Sequence, residues 1–544
     1  MIRDVDRLIA DTFDLLVVGG GIYGLTLACD AAERGLSVAL VERDDFGAGS
    51  SFNHLRTIHG GLRYLQSFDL RRSRESIVER RTLARIAPHM VAPLPFVLPL
   101  GHSVAKGKLA LGVAFLVDRV VGIGRNRDVP AALRMPGGRV VSRSTAILRY
   151  PGLRRQGLAG AAVWHDYVTT EPDRLTFSWA LAAAAHGAVL ANHVEATAPL
   201  VDGTRVVGVR ATDGATGRIL EIGARLTVNA TGGSVDRLLA PLGLSAKVPM
   251  LKAMNLVTRR DAGTEALGGR SESGRHLFLV PWRERALFGT WESAGTCGPD
   301  ETAVTETDVA AFIRELNQAF PSLDLKMADV TLVHRGIVPA VVAHGGRVSL
   351  QGHEQIRDHA SDGVVGLMSV AGTKYTTARG VAERLTTRVF EKLGRPAAPC
   401  RTATTPLPGG GLRDVSLTIA EARREHDEGL PSDTIPHLVA AYGTRYRDVL
   451  GVAADRPDWR KRLSGGSPVI GAELVWAARE EMVGTLADAV LRRTPLGALG
   501  YPGDAAAARA AAIVGDELGW TAERREREID ALRAFYAPIA ATGA

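Results

Sequence analysis

Gly19, Gly21 and Gly24 in the string Gly19-Gly-Gly21-Ile-Tyr-Gly24 limit what this chain can fold into more than any other feature. They follow the apolar run Asp14-Leu-Leu-Val-Val18 and open a stretch of small residues, Leu25, Ala28, Ala31 and Ala32, that ends at Gly35. Ser37-Val-Ala-Leu-Val41 then reads as a second buried strand. Strand, tight turn, helix and strand in this order make a βαβ unit whose turn binds a dinucleotide. Gly19 permits the turn, Gly21 lets the backbone approach a pyrophosphate, and Gly24 lets the helix pack on the strand. The helix start, with Ile22 and Tyr23, offers amide N–H groups and partial positive charge to the phosphates. Glu42 ends the second strand, 18 residues after Gly24, with Arg43 beside it, and would accept hydrogen bonds from a ribose hydroxyl.

This motif alone leaves FAD and NAD both open. The next segment bears on the choice. Gly47-Ala-Gly49-Ser50-Ser51 follows the second strand directly, and Ile58-His59-Gly60-Gly61-Leu-Arg63-Tyr64 comes soon after. Two glycine-rich turns so close to the phosphate loop point to backbone threading along an elongated cofactor, as flavin sites require.

Further along, 70–87 reads as a charged amphipathic helix stopped by Pro88, and 93–99 as a Pro-punctuated extended segment. An alanine-rich helix occupies 179–187, and 192–229 reads as strands with turns at Asp202-Gly203 and Asp213-Gly214. That run closes on Asn229-Ala-Thr-Gly232, and 275–291 reads as two more strands around Trp282-Arg-Glu-Arg285. The pattern is α/β with a largely parallel sheet. With 544 residues the chain exceeds what one core supports, so two or three units are expected. The segment 401–411, with two prolines and three consecutive glycines, reads as a linker, and 412–544 as a separate helical domain.

Composition excludes several classes. Cys29, Cys297 and Cys400 have no CxxC spacing, which argues against a disulfide framework or a zinc site and fits a reducing cytosol. The charge of +7 is spread among acidic neighbours, so it reads as a solvated surface rather than a nucleic-acid stripe. No apolar run reaches the roughly 18 residues of a membrane-spanning helix, and 109–117 reads as a buried helix.

On these residues the chain resembles the FAD-dependent glycerol-3-phosphate dehydrogenase family, the aerobic quinone-linked enzymes and their oxidase relatives. The shared strings are the glycine loop at 19–24, Gly49-Ser-Ser, His59-Gly-Gly-Leu-Arg-Tyr-Leu65, Ala87-Pro-His-Met90 with Leu98-Pro99, and Asn229-Ala-Thr-Gly232. Val280-Pro-Trp282 with Gly289-Thr290, Gly372-Thr373-Lys374-Tyr-Thr-Thr377, Glu473–Met482 and Ala489–Thr494 continue the match into the helical tail. The resemblance implies a Rossmann-type FAD-binding domain of the D-amino-acid-oxidase-like fold over 1–400, interleaved with a β-rich substrate domain. It implies FAD as cofactor and hydride transfer from a polyol phosphate to flavin N5, with electrons passed to a quinone or to dioxygen. By the same resemblance Arg63 and Tyr64 lie beside the substrate, and Lys374 faces the flavin and the substrate phosphate. Gly60, Gly61, Gly232, Gly372 and Thr373 line the cofactor. A cytoplasmic enzyme resting on the inner membrane face through Lys106 and Lys108, and a homodimer, complete the expectation.

The departures lie in the substrate region. The family's Lys-Gly-Ser-His is Lys252-Ala-Met-Asn255 here, and its Ser-Gly-Val-Arg-Pro is Arg335-Gly-Ile-Val338-Pro. Arg335 is therefore expected to take over from the arginine replaced by Val338, meeting Arg63 and Lys374 at the flavin. Asn255 can bond a hydroxyl but cannot take its proton, which leaves His59 as first candidate for the base. Two other readings stand beside this one: a flavin amine or hydroxy-acid oxidase, and a flavin-binding subunit without catalysis.

Overall fold

The computed structural model describes residues 1–65, 69–101, 108–299, 301, 303–426, 429–454 and 456–536, with no account of the side chains of 63, 65 and 108–110. Thr12–Val18 lies between two parallel neighbours, Val38–Val41 and Ile219–Asn229. Its residues are apolar without alternation because both faces are covered. Leu15 and Val17 pack beneath the helix Ile22–Glu33, while Leu16 and Val18 join a second cluster on the opposite face. Leu367–Ala371 extends the sheet in parallel beyond Ile219–Asn229, and Gln355–Asp358 forms its edge. The hairpin Val194–Asp202 and Arg205–Asp213 branches from Ile219–Asn229, with turns where the sequence reading put them.

A second, mostly antiparallel sheet stands over the carboxyl ends of these strands. It runs Val348–Leu350, Val330–Val342, Met250–Asp261, Arg285–Glu292, His276–Trp282, Ala266–Arg270, Val91–Leu100, Gly160–Thr169 and Thr57–Ile58. The turn at 283–284 carries two positive φ values, which closes a tight hairpin. Helix Glu306–Ala319 covers the outer face with Val309, Phe312, Ile313 and Leu316.

The helices between Val415–His426 and Ala522–Tyr536 pack against this roof and the first sheet. Buried ion pairs join them to the body: Arg174 grips Glu481 at 2.5 and 3.0 Å, and Arg493 grips Asp45 at 2.5 and 2.8 Å. Segment 401–411 has neither helix nor strand, yet the Leu407 amide donates to the Ile86 carbonyl at 2.9 Å and a Cβ on Gly410 would overlap that oxygen.

One expectation is corrected. The helix Lys108–Val121 is not buried: Leu111 and Phe115 face inward, while Val113, Leu116, Val120 and Ile123 are 55–69% exposed. The spacing of these four puts them on one side of a helical path, so a run that is apolar all round turned half its surface outward.

Candidate functional site

The cofactor end is made of backbone. Gly19 adopts φ +107°, and a Cβ there would lie 2.7 Å from the Ala230 carbonyl oxygen. A Cβ on Gly24 would overlap the Gly19 carbonyl oxygen, so the helix meets its own turn with no room for a side chain. Gly21 is the N-cap without a capping side chain of its own, and the Ser51 hydroxyl accepts from the Ile22 amide at 2.9 Å. Glu42 is largely buried and accepts from the Gly20 and Asp44 amides at 2.6 and 2.9 Å. Burial pushes its carboxyl pKa up, against the pull of those two amides. A carboxylate at the second strand's end with lone pairs still to fill suits the ribose of an adenosine dinucleotide. Arg43, by contrast, lies out at the surface beside Asp44 at 3.3 Å.

The far end is made of side chains. The Tyr23 hydroxyl donates to the Lys374 carbonyl at 3.2 Å, and a Cβ on Gly372 would overlap that hydroxyl. Thr373 donates to the Gln351 carbonyl at 2.9 Å. The Lys374 ammonium lies 4.5 Å from the Tyr64 ring centroid and donates to the Ser76 hydroxyl. Arg72 lies 4.4 Å from the same ring, so Tyr64 has two cations against its ring. Gly61, at φ +81°, is where a Cβ would press on Ser76 at 2.9 Å. Arg63 shares the short helix Leu62–Leu65, but its side chain lies outside the described residues, as do Lys106 and the side chain of Lys108.

Beside them, His59 is half exposed, with Nε2 2.7 Å from the Thr57 hydroxyl and Nδ1 3.6 Å from Asp166. Asp166 is buried and accepts from Gly60 N at 2.6 Å, from Trp164 Nε1 at 3.1 Å and from Arg80. Burial alone would raise its pKa, but the Arg80 charge, His59 and the Gly60 amide hold it down to about 2. A Cβ on Gly60 would overlap the Arg80 guanidinium, which would have to shift from its present place. Deeper, His54 stacks on Tyr375 at 4.6 Å and its Nδ1 accepts from the Arg56 amide at 3.1 Å. Burial and the Arg56 charge push its pKa well below 6.5, so the ring is neutral.

Two expected residues stand elsewhere. Arg335 is registered opposite Met254, on the roof face that carries Leu256 and Phe312. Strand side chains alternate, so 335 and 338 face opposite ways, against the expectation that Arg335 stands in for the arginine at 338. The face toward the cofactor carries Gly336, where a Cβ would meet Ser50 Oγ at 3.0 Å. The Ser50 hydroxyl donates to the Ile337 carbonyl at 2.8 Å. The Asn255 carboxamide is already engaged, donating to the Asn53 carbonyl at 2.8 Å and accepting from Thr290 at 3.0 Å. It pins the loop after the phosphate turn to the roof. Arg72, Ser76, Arg80 and Asp166 escaped the sequence reading. Their signal was the spacing of Arg72, Ser76 and Arg80 down one side of the helix Leu70–Ile86.

This chain matches the family FAD dependent oxidoreductase over residues 14–388, and the C-terminal domain of alpha-glycerophosphate oxidase over residues 400–525. It is 32% identical to a glycerol-3-phosphate dehydrogenase of Mycobacterium leprae, covering 96% of this chain and 88% of that protein. A Synechocystis enzyme of the same name is 29% identical over 97% of both. Among solved structures, the glycerol-3-phosphate dehydrogenase of Bacillus halodurans complexed with FAD superposes with a TM-score of 0.76 and 25% identity, over 98% of this chain and 97% of that one. A glycine oxidase of Geobacillus kaustophilus shares the fold over 72% of this chain, with a TM-score of 0.52 and 19% identity.

Proposed function

Because this chain belongs to the family of FAD-dependent glycerol-3-phosphate dehydrogenases, we propose that it oxidises glycerol 3-phosphate, or a closely related polyol phosphate, to the ketone. Bound FAD supplies the hydride acceptor at N5. The observation that carries the reading is the pair of cations, Lys374 and Arg72, that both lie within 4.5 Å of the Tyr64 ring centre. An anion held there gains charge-assisted hydrogen bonds, and the substrate carbon is fixed by its phosphate. His59 accepts the hydroxyl proton. With Val338 where the family has arginine, and with Arg335 on the far face of the roof, the phosphate rests on Lys374, Arg72 and Arg63.

Electrons pass to a quinone rather than to NAD. The exposed stripe Val113, Leu116, Val120 and Ile123 supports contact with a membrane surface, where a quinone is reached. Among the described residues no helix is long and apolar enough to cross a membrane. Anaerobic titration of the purified yellow protein tests the reading. Glycerol 3-phosphate is expected to bleach the flavin, with glycerol and 2-hydroxy acids leaving it oxidised. Bleaching by a hydroxy acid or an amine and not by a polyol phosphate would transfer the chain to the oxidase reading, as would rapid peroxide formation without quinone reduction.

A further inference from the structure

The geometry points to Asp166, clamped by Arg80, as the positioning residue that holds His59 in the one tautomer able to take the substrate's proton. The inference rests on the role given to His59 above and deepens it. Asp166 Oδ2 faces His59 Nδ1 at 3.6 Å, longer than a formed hydrogen bond, and such contacts commonly tighten only once substrate is present. Its other oxygen is fixed by the Gly60 amide and Arg80, and Trp164 Nε1 donates to Oδ2. The carboxylate therefore has no freedom to turn away from the ring. Asp166 stays ionised throughout the working range, so it only accepts, and an accepting group opposite Nδ1 calls for a proton on Nδ1. That leaves the lone pair on Nε2. Thr57 Oγ lies 2.7 Å from Nε2, and with the proton on Nδ1 its hydroxyl donates to that lone pair only until the substrate's hydroxyl takes its place.

The step then balances simply. The carbinol O–H bond breaks and its proton goes to Nε2, while the C–H bond breaks and its electron pair leaves as hydride for the flavin. The C–O bond becomes a carbonyl. The ring, now imidazolium, keeps Nδ1–H toward Asp166, whose negative charge offsets the charge that develops. Arg80 prevents that carboxylate from taking the proton back. The sequence spreads the device over three places, His59 in the glycine turn, Arg80 in the helix Leu70–Ile86 and Asp166 on the strand Gly160–Thr169.

Asp166→Asn, His59→Ala and the double variant separate this role from a purely structural one. Asp166→Asn is expected to retain its FAD, to lower kcat by on the order of 100-fold or more, and to leave KM within about threefold. His59→Ala should fall similarly and recover in part with added imidazole. In the double variant, kcat should fall no further than in His59→Ala, because Asp166 acts only through the ring. Wild-type turnover in Asp166→Asn, or a further large loss in the double variant, overturns the assignment. Wild-type turnover in His59→Ala would instead remove His59 as proton acceptor, and this inference with it, while leaving the substrate assignment standing. Should Asp166→Asn fail to retain FAD, selective ¹⁵N-histidine NMR of the unaltered holoprotein decides. A proton on His59 Nδ1 supports the assignment, and a proton on Nε2 overturns it.

Discussion

The phosphate turn and the layer under the C-terminal helices both hold the cofactor cleft, by opposite means. The turn relies on the absence of side chains: Gly24 meets the Gly19 carbonyl, Gly21 meets Ser51 and Gly19 meets Ala230, each at a distance that leaves no slack for a larger residue. The layer adds buried charge to its apolar packing. Arg174–Glu481 and Arg493–Asp45 are buried pairs whose members lie 307 and 448 residues apart. Beside them His437 bridges Glu473 at 2.9 Å and Glu171 at 3.7 Å, while Arg283 also reaches Glu171. Local shape is robust to everything except a change of volume. Buried charge tolerates a change of volume better than the loss of one partner, since the other is then stranded.

The largest effect should follow from breaking the turn. Gly24→Val places atoms where the Gly19 carbonyl already stands, and the protein should purify colourless, as read by its visible spectrum. A yellow Gly24→Val protein would show that the turn has more slack than the layer. Next comes Arg493→Met, which strands Asp45 in the interior and should cost about 3–5 kcal/mol in chemical denaturation. Doubling the change to Arg493→Met with Asp45→Leu should recover much of the loss. If it does not, the pair matters for more than its charge.

Lys374→Met carries the comparison to the substrate end, where side chains again do what backbone does at the turn. It should lower kcat/KM for glycerol 3-phosphate about tenfold to a hundredfold and leave the FAD content unchanged. The smallest effect concerns pH. Burial alone would lower the His437 pKa, but Glu473 and Glu171 raise it to about 9. A raised histidine contributes stability fully below its unfolded value near 6.5, and loses it as pH climbs through about 9. Thermal melts should therefore show stability draining away between about 6.5 and 9, and His437→Gln should flatten that slope.

The same contrast explains what could be read in advance. The βαβ unit, both hairpin turns at 202–203 and 213–214, and the helical character beyond 412 were legible because period and turn chemistry are local. Tyr64 and Lys374 drew notice in the same way, because they sit in glycine-framed strings. Arg335 misled because a strand reverses the side of every second residue, and a three-residue offset changes face. Arg72, Arg80 and Asp166 were illegible as a group. The helix Leu70–Ile86 looks solvated by its charges, yet Arg72, Ser76, Glu79 and Arg80 are buried against partners supplied by other elements. In the same way the run from Leu109 looked like core and instead presents four apolar side chains outward.

The Arg493–Asp45 pair has a consequence for how the protein is made. Asp45 lies two residues before Gly47, whose amide is bonded to the Gly20 carbonyl at 2.9 Å, so the guanidinium steadies the loop that closes the phosphate turn. Translation delivers that loop 448 residues before its clamp. A nascent chain can form the βαβ unit on the ribosome, but it holds an open loop there until residue 493 emerges. Ribosome-stalled chains ending before 493 are therefore expected to release FAD on washing, while chains that extend past it keep it.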